Sequence, residues 1–183
     1  IKLEFMNLNL NELVQQVNGE FAERFESRNL DLICILQPEP LLICADSRRI
    51  WRVLENLYVN VCKYAMPGTR VYVDAIRKDG KIQFSIKNIS ENALNCEADE
   101  LTERFIRGDV SRSTEGSGLG LSIAKNLTVL QHGTFDIYLD GDLFKVTITF
   151  DEAVKEKKPE ASGYTAKPEM PEEDLEKPSS DTI

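Results

Sequence analysis

Asp46-Ser47-Arg48-Arg49-Ile50-Trp51-Arg52-Val53-Leu54-Glu55-Asn56-Leu57-Tyr58-Val59-Asn60-Val61-Cys62-Lys63-Tyr64 puts an apolar stripe and a polar flank on one helical period. Asp46 or Ser47 can cap the helix, and Ile50, Val53, Leu54, Leu57 and Val61 fall on one side of it. Met66-Pro67-Gly68 stops it. At about 100° per residue, Asn56, Asn60 and Lys63 share a face roughly 110° from the centre of the stripe. Asparagine is a poor helix former, so two on one flank need a reason. One reading is a solvated face with incidental asparagines. The other is a site for an oxyanion with a metal, amide oxygen to a hard cation and ammonium to phosphate.

Outward from this helix, Asn9 followed by Leu10, Leu13, Val14, Val17, Phe21 and Phe25 has the period of an amphipathic helix ending before Asn29. Asp31 to Leu36 and Leu41 to Ala45 read as a hairpin turning at Pro38-Glu39-Pro40. Thr69 to Ile76 and Lys81 to Ile89 alternate around Lys78-Asp79-Gly80 as a second hairpin. A short helical piece is expected near Ala98 to Phe105, and a longer helix from about Ser117 to Gln131, stopped at Gly133. Thr134 to Leu139 and Leu143 to Phe150 form a last hairpin through Asp140-Gly141-Asp142. Helices interleaved with hairpins predict an α+β two-layer sandwich, with a mixed, mainly antiparallel sheet and three main helices on one face.

Gly116-Ser117-Gly118-Leu119-Gly120-Leu121 opens the longer helix. Alternate glycines remove the Cβ atoms that would block the backbone, and the helix start offers unpaired amides, so the segment is a phosphate cradle or a plain flexible loop. It is not the Walker pattern, since no Gly-Lys-Ser/Thr follows, and it does not follow a strand as a dinucleotide fingerprint does. Arg107 and Arg112 stand just upstream in a turn-rich stretch that can close over a triphosphate as a lid.

The 183 residues carry 22 Lys+Arg against 31 Asp+Glu, a net charge of -9, which disfavours nucleic-acid binding through phosphates. Ten acids and five bases lie in residues 151–183, a Pro-, Glu- and Lys-rich stretch expected to be a disordered tail, so the folded unit is placed at residues 1–152 and the tail at 153–183. No apolar run reaches the roughly 20 residues of a membrane span. Membrane contact by this piece itself is not expected. The start at Ile1 suits an excised fragment. Cys34, Cys44, Cys62 and Cys96 form no C-x-x-C pair, and the first three sit in apolar segments, as reduced core thiols do.

Taken together, Asn56 to Tyr64, Glu103-Arg104-Phe105-Ile106-Arg107-Gly108-Asp109 and Gly116 to Ala124 resemble the N, F and G2 boxes of the ATP-binding catalytic domain of sensor histidine kinases. The resemblance implies the Bergerat ATP-binding sandwich over nearly all of residues 1–150. It implies ATP and Mg²⁺ as ligands, with Asn60 holding the metal, Lys63 and Tyr64 contacting phosphate or sugar, and Gly116, Ser117, Gly118, Leu119, Gly120 and Leu121 bringing amides to the phosphates. Arg107 and Arg112 match basic positions that meet the γ-phosphate or a partner helix. Asn56 occupies the place where related ATPases carry a water-activating glutamate, so transfer to a histidine is favoured over hydrolysis. Glu55 is rotated by about 100° from that face.

Two departures stand out. The family's Asp-x-Gly-x-Gly box is here Asn88-Ile89-Ser90-Glu91-Asn92, so an amide replaces the adenine-reading carboxylate. No phosphoacceptor box is present, and His132, in Gln131-His132-Gly133, reads as a helix-terminal residue, so the acceptor is expected upstream of Ile1. The implied function is the catalytic domain of a two-component sensor histidine kinase. It would transfer the ATP γ-phosphoryl to a histidine on an upstream dimerisation domain, with a response regulator as further partner. The implied location is cytoplasmic, in a membrane-anchored parent. Alternatives are a non-catalytic nucleotide-binding module, which the altered box permits, and an autonomous ATPase, which Asn56 disfavours.

Overall fold

The computed structural model describes residues 1–94 and 119–154. Along them run β1 (Phe5–Asn9), α1 (Leu10–Ser27), β2 (Asp31–Leu36), β3 (Leu42–Asp46), α2 (Ser47–Tyr64), β4 (Arg70–Lys78), β5 (Lys81–Ile89), α3 (Gly120–Leu130), β6 (Thr134–Asp140) and β7 (Leu143–Asp151). The expected helical piece at residues 98–105 lies outside the described residues.

Each described helix begins or ends where its sequence dictates. Asn9 caps α1, its Oδ1 accepting from the Asn11 amide at 3.1 Å and the Leu41 amide at 3.2 Å. Of the two candidate caps for α2 it is Asp46 that serves: its Oδ1 accepts from the amides of Arg48 at 3.0 Å and Arg49 at 3.1 Å. Past the end of α2 the chain turns through Gly68 at φ 81°, a conformation that costs glycine little. His132 closes α3 in the left-handed region at φ 68°. Gly133 then passes so close to β7 that a Cβ there would lie 2.7 Å from Phe150 Cε1.

Five strands form the main sheet in the order β2-β4-β5-β7-β6, parallel between β2 and β4 and antiparallel elsewhere. The β4–β5 and β6–β7 hairpins are as expected, the first turning on Asp79 (φ 53°) and Gly80 (φ 73°). One sheet face presents Val71, Val73, Ala75, Ile82, Phe84, Ile86, Val146 and Ile148 to Leu10, Val14, Val17, Leu54, Leu57 and Leu121 of the helices, in a single core. Between α1 and α2, Phe25 and Tyr58 stack with centroids 5.7 Å apart. Burial pushes the Tyr58 hydroxyl pKa far up, and that hydroxyl donates to Asn18 Oδ1.

The first expected hairpin does not form. β2 pairs with β4, while β3 pairs antiparallel with β1, a strand that no alternation in the sequence announces. Pro38 and Pro40 lack N–H groups, and the Asn11 side chain binds the connecting segment through the carbonyls of Gln37 at 3.0 Å and Glu39 at 2.9 Å. The loop therefore carries the chain to a second sheet instead of folding it back. Cys44 is also not a core thiol: it is exposed on β3, whereas Cys62 is buried and Cys34 half-buried. Beyond β7, Glu152 pairs with Arg77 at 2.8 Å and the Ala153 amide donates to Leu42 O at 2.8 Å, so the body holds the chain through these residues. The expected tail from residue 155 on lies outside the described residues.

Candidate functional site

The flank of α2 faces the start of α3. Asn56, Val59, Asn60, Lys63 and Tyr64 line one cleft together with Gly120 and Leu121. The angular grouping read from the sequence is therefore realised in space, and the second motif closes it from across. Asn60 is buried, Asn56 and Tyr64 are half-buried and Lys63 is exposed. Glu55 points away, exposed on another side of the helix.

The polar atoms in this cleft are arranged for something other than each other. Asn56 Nδ2 is buried without a hydrogen-bond partner among the described residues. An amide donor left that way costs about 1–3 kcal/mol unless a ligand takes it up. A Cβ on Gly120 would lie 3.7 Å from Asn56 Oδ1, filling the gap between the two helices. Leu119, ahead of α3, is in the αR conformation and contributes no side-chain cap, and among the described residues no side chain takes up the first amides of α3, whose positive dipole end stands beside Asn56. Lys63 pairs with no carboxylate among the described residues. The local field favours an anion.

Asn88 does not line that cleft. It sits on β5 opposite Phe144, 3% exposed, and its Oδ1 is a buried acceptor with no partner among the described residues. Backbone bonds stitch its strand to the end of α2: Met66 N to Ile89 O at 2.8 Å, Glu91 N to Tyr64 O at 2.8 Å, and an isolated bridge between Ala65 and Ser90. Ser90 also donates its amide to Asp142 O at 2.7 Å and its hydroxyl to Asn92 O at 2.7 Å. The segment that replaces the glycine-rich box is thus bonded on both sides.

Arg107, Arg112, Gly116, Ser117 and Gly118 lie outside the described residues. Arg28 is not singled out by any sequence motif. It reaches the carbonyls at the end of α2 from 34 and 37 positions away, and no local pattern announces such a contact. A wider groove is lined by Asn29, Asp31, Gly68, Thr69, Arg70, Tyr72 and Ile89; Ile89, the neighbour of Asn88, borders it, and no residue of the α2–α3 cleft does.

Residues 45–165 match the family described as histidine kinase-, DNA gyrase B-, and HSP90-like ATPase. The chain belongs to that family. Among its relatives, the signal transduction histidine-protein kinase BaeS of Escherichia coli K12 is 30% identical over 123 residues, 66% of this chain and 26% of that protein. The adaptive-response sensory kinase SasA of Synechococcus elongatus is 30% identical over 122 residues, 66% of this chain and 32% of that protein. The chain thus spans about a third or less of these relatives. The solved catalytic domain of the histidine kinase ThkA, in a nucleotide-free form, superposes with a TM-score of 0.71 at 25% identity, covering 82% of this chain and 97% of that one. The α+β sandwich is the fold of that catalytic domain, and ATP binding is the property the family description implies. All three proteins are named as kinases, two of them as histidine kinases, and a non-catalytic module finds no support among them.

Proposed function

We propose that this chain is the ATP-binding catalytic domain of a sensor histidine kinase, moving the γ-phosphoryl of ATP to an imidazole on an upstream dimerisation domain of the same protein. The observation that carries the reading is a complementary pair among the three buried side-chain amide atoms that have no hydrogen-bond partner among the described residues. Asn88 Oδ1 is an acceptor suited to the 6-amino group of adenine, and Asn56 Nδ2 is a donor suited to phosphate oxygen, beside the uncapped start of α3. Base and phosphate contacts thus come from two ends of one stitched unit.

In this reading Asn88 accepts from the base, while Asn56, the first amides of α3 and the Lys63 ammonium orient the phosphates, with Tyr64 beside them. Gly116, Ser117, Gly118, Leu119, Gly120 and Leu121 form the phosphate-side wall, and Arg107 and Arg112 supply positive charge as the terminal phosphate leaves ADP. Mg²⁺ fits through Asn60, whose amide oxygen is a hard ligand. Among the described residues no three His, Cys, Asp or Glu side chains group to hold a metal, so phosphate oxygens would supply further ligands. When bound, the ion neutralises phosphate charge. Asn56 offers no general base for water, so the imidazole is the acceptor. The bond from phosphorus to the bridging oxygen breaks, a phosphorus–nitrogen bond forms, and ADP leaves.

A response regulator is the proposed onward partner, as in the solved complex of ThkA with the response regulator protein TrrA. No helix among the described residues is long and apolar enough to cross a membrane, and the proposed setting is the cytoplasmic side of a membrane-anchored parent. The folded unit is proposed as residues 1–152. Transfer of label from γ-labelled ATP to a separately supplied histidine-containing dimerisation domain tests the reaction. Labelling of that domain, lost on changing its histidine, supports it; ATP consumption without labelling points to an autonomous ATPase.

A further inference from the structure

We infer that Arg28 is a positioning residue for the nucleotide site, holding the base-reading strand in register with the phosphate-binding helix. The inference rests on the ATP reading above and adds a residue that no motif contains. Arg28 follows α1. Its Nε donates to Cys62 O at 2.9 Å, its Nη2 donates to Ala65 O at 3.1 Å, and the same Nη2 lies 3.5 Å from Glu91 Oε2. One guanidinium therefore joins the end of α1, the last turn of α2 and the segment after β5.

The chemistry of a helix end explains the choice of side chain. The last carbonyls of a helix have no intrahelical donor and form the negative end of its dipole, so a cation with several fixed donors satisfies them best. Between the two bonded carbonyls lie Lys63 and Tyr64, both on the nucleotide cleft. On the other side, Glu91 carries the amide bonded to Tyr64 O and stands three positions beyond Asn88. An exposed Arg–Glu pair contributes little by itself. The two carbonyl bonds give Arg28 its hold on the end of α2, and the Glu91 amide, bonded to Tyr64 O between those carbonyls at 2.8 Å, carries that hold to the strand bearing Asn88. With the guanidinium removed, the helical bonds of α2 still hold Lys63 and Tyr64, and what is lost is the tie that aligns the Asn88 oxygen with them.

The test compares ligands that do and do not carry a base, on the full chain. Arg28→Met is expected to weaken Mg-ATP binding about fivefold, the worth of one neutral hydrogen bond, and to leave binding of inorganic triphosphate unchanged. In an Asn88→Ala background the same substitution is expected to have no further effect on Mg-ATP. Equal weakening of ATP and triphosphate, or additivity with Asn88→Ala, overturns the inference and leaves Arg28 a general stabiliser. Arg28→Lys keeps the charge but not the two-carbonyl span; it is expected to show the same pattern at smaller scale, and it serves where the Met variant does not fold. Exchange of the Glu91 amide, read without nucleotide, is expected to quicken in both variants. If the parent itself fails to bind Mg-ATP, the ATP reading fails, and with it the ligand role of Arg28. Quickened Glu91 exchange would then mark a purely structural clamp.

Discussion

Gln131 Oε1 accepts a hydrogen bond from the Asp46 amide at 2.9 Å, and Gln131 Nε2 donates to Leu127 O at 2.9 Å. The end of α3 is thereby fixed to the start of α2 by a side chain 1% exposed. Because the helices run in opposite senses, this anchor at one end sets where Gly120 stands against Asn56 at the other. Gln131→Leu leaves the buried Asp46 amide without a partner, and we expect a loss of about 1–3 kcal/mol in stability, with weaker nucleotide binding in the variant that remains folded. Chemical denaturation followed by ATP titration checks both; a variant as stable as the parent would mean that Gln131 does not anchor the helices.

Asp46 makes a second, pH-dependent contribution. Its Oδ2 accepts from the Glu4 amide at 2.8 Å, and this bond, with those from Arg49 and Arg48 and the nearby Arg49 charge, holds the carboxyl below its ordinary value of 3.8 despite burial. A carboxylate whose native pKa is depressed stabilises the fold above its unfolded value and loses that contribution as pH falls through the native one. Asp46→Asn is therefore expected to lower stability at neutral pH and to narrow the gap to the parent below pH 3.8. Thermal melts across that range decide it, and a constant gap would show that the charge is not what matters.

Gly133 is a packing glycine. A methyl there meets Phe150 at 2.7 Å and Thr128 Cγ2 at 2.9 Å, so Gly133→Ala is expected to destabilise by about 1–3 kcal/mol through displacement of an aromatic core side chain. Gly19 on α1, where an added methyl would find no atom within 4 Å, supplies the control, and Gly19→Ala is expected to be neutral or stabilising. Comparable melting of the two variants would contradict this packing.

Asn60→Ala is expected to abolish the Mg²⁺-dependent part of ATP binding, since the only amide oxygen proposed for the metal is lost. Titrations with and without Mg²⁺ separate that part from the rest. An unaltered magnesium dependence would remove Asn60 from the metal site.

How much of this was legible in the sequence follows the range of the forces involved. The α2 cap at Asp46, the apolar stripe and the Asp79-Gly80 turn rest on neighbours within a few positions, and the structure has them where periodicity and turn chemistry put them. The cleft was legible because 3.6-residue geometry alone brings Asn56, Asn60 and Lys63 to one flank. Strand partnership was not. Leu42–Asp46 chooses β1 over β2 by long-range packing, and β1, with Phe5 and Met6 exposed, lacks the alternation that announces a strand. Cys44 was misplaced for the same reason, since its exposure follows from the pairing and not from its apolar neighbours.

The most direct test of the central claim is calorimetric titration of the chain with Mg-ATP, run in parallel on Asn88→Asp. Asn88 Oδ1 is buried and unpartnered among the described residues, and a carboxylate in its place would accept the adenine amino group through a charged hydrogen bond. We expect the parent to bind, and the Asp form to bind tighter by about 1 kcal/mol, several-fold in affinity. Equal affinity would mean that Asn88 does not read the base. No binding by either form would contradict the assignment of this cleft to ATP.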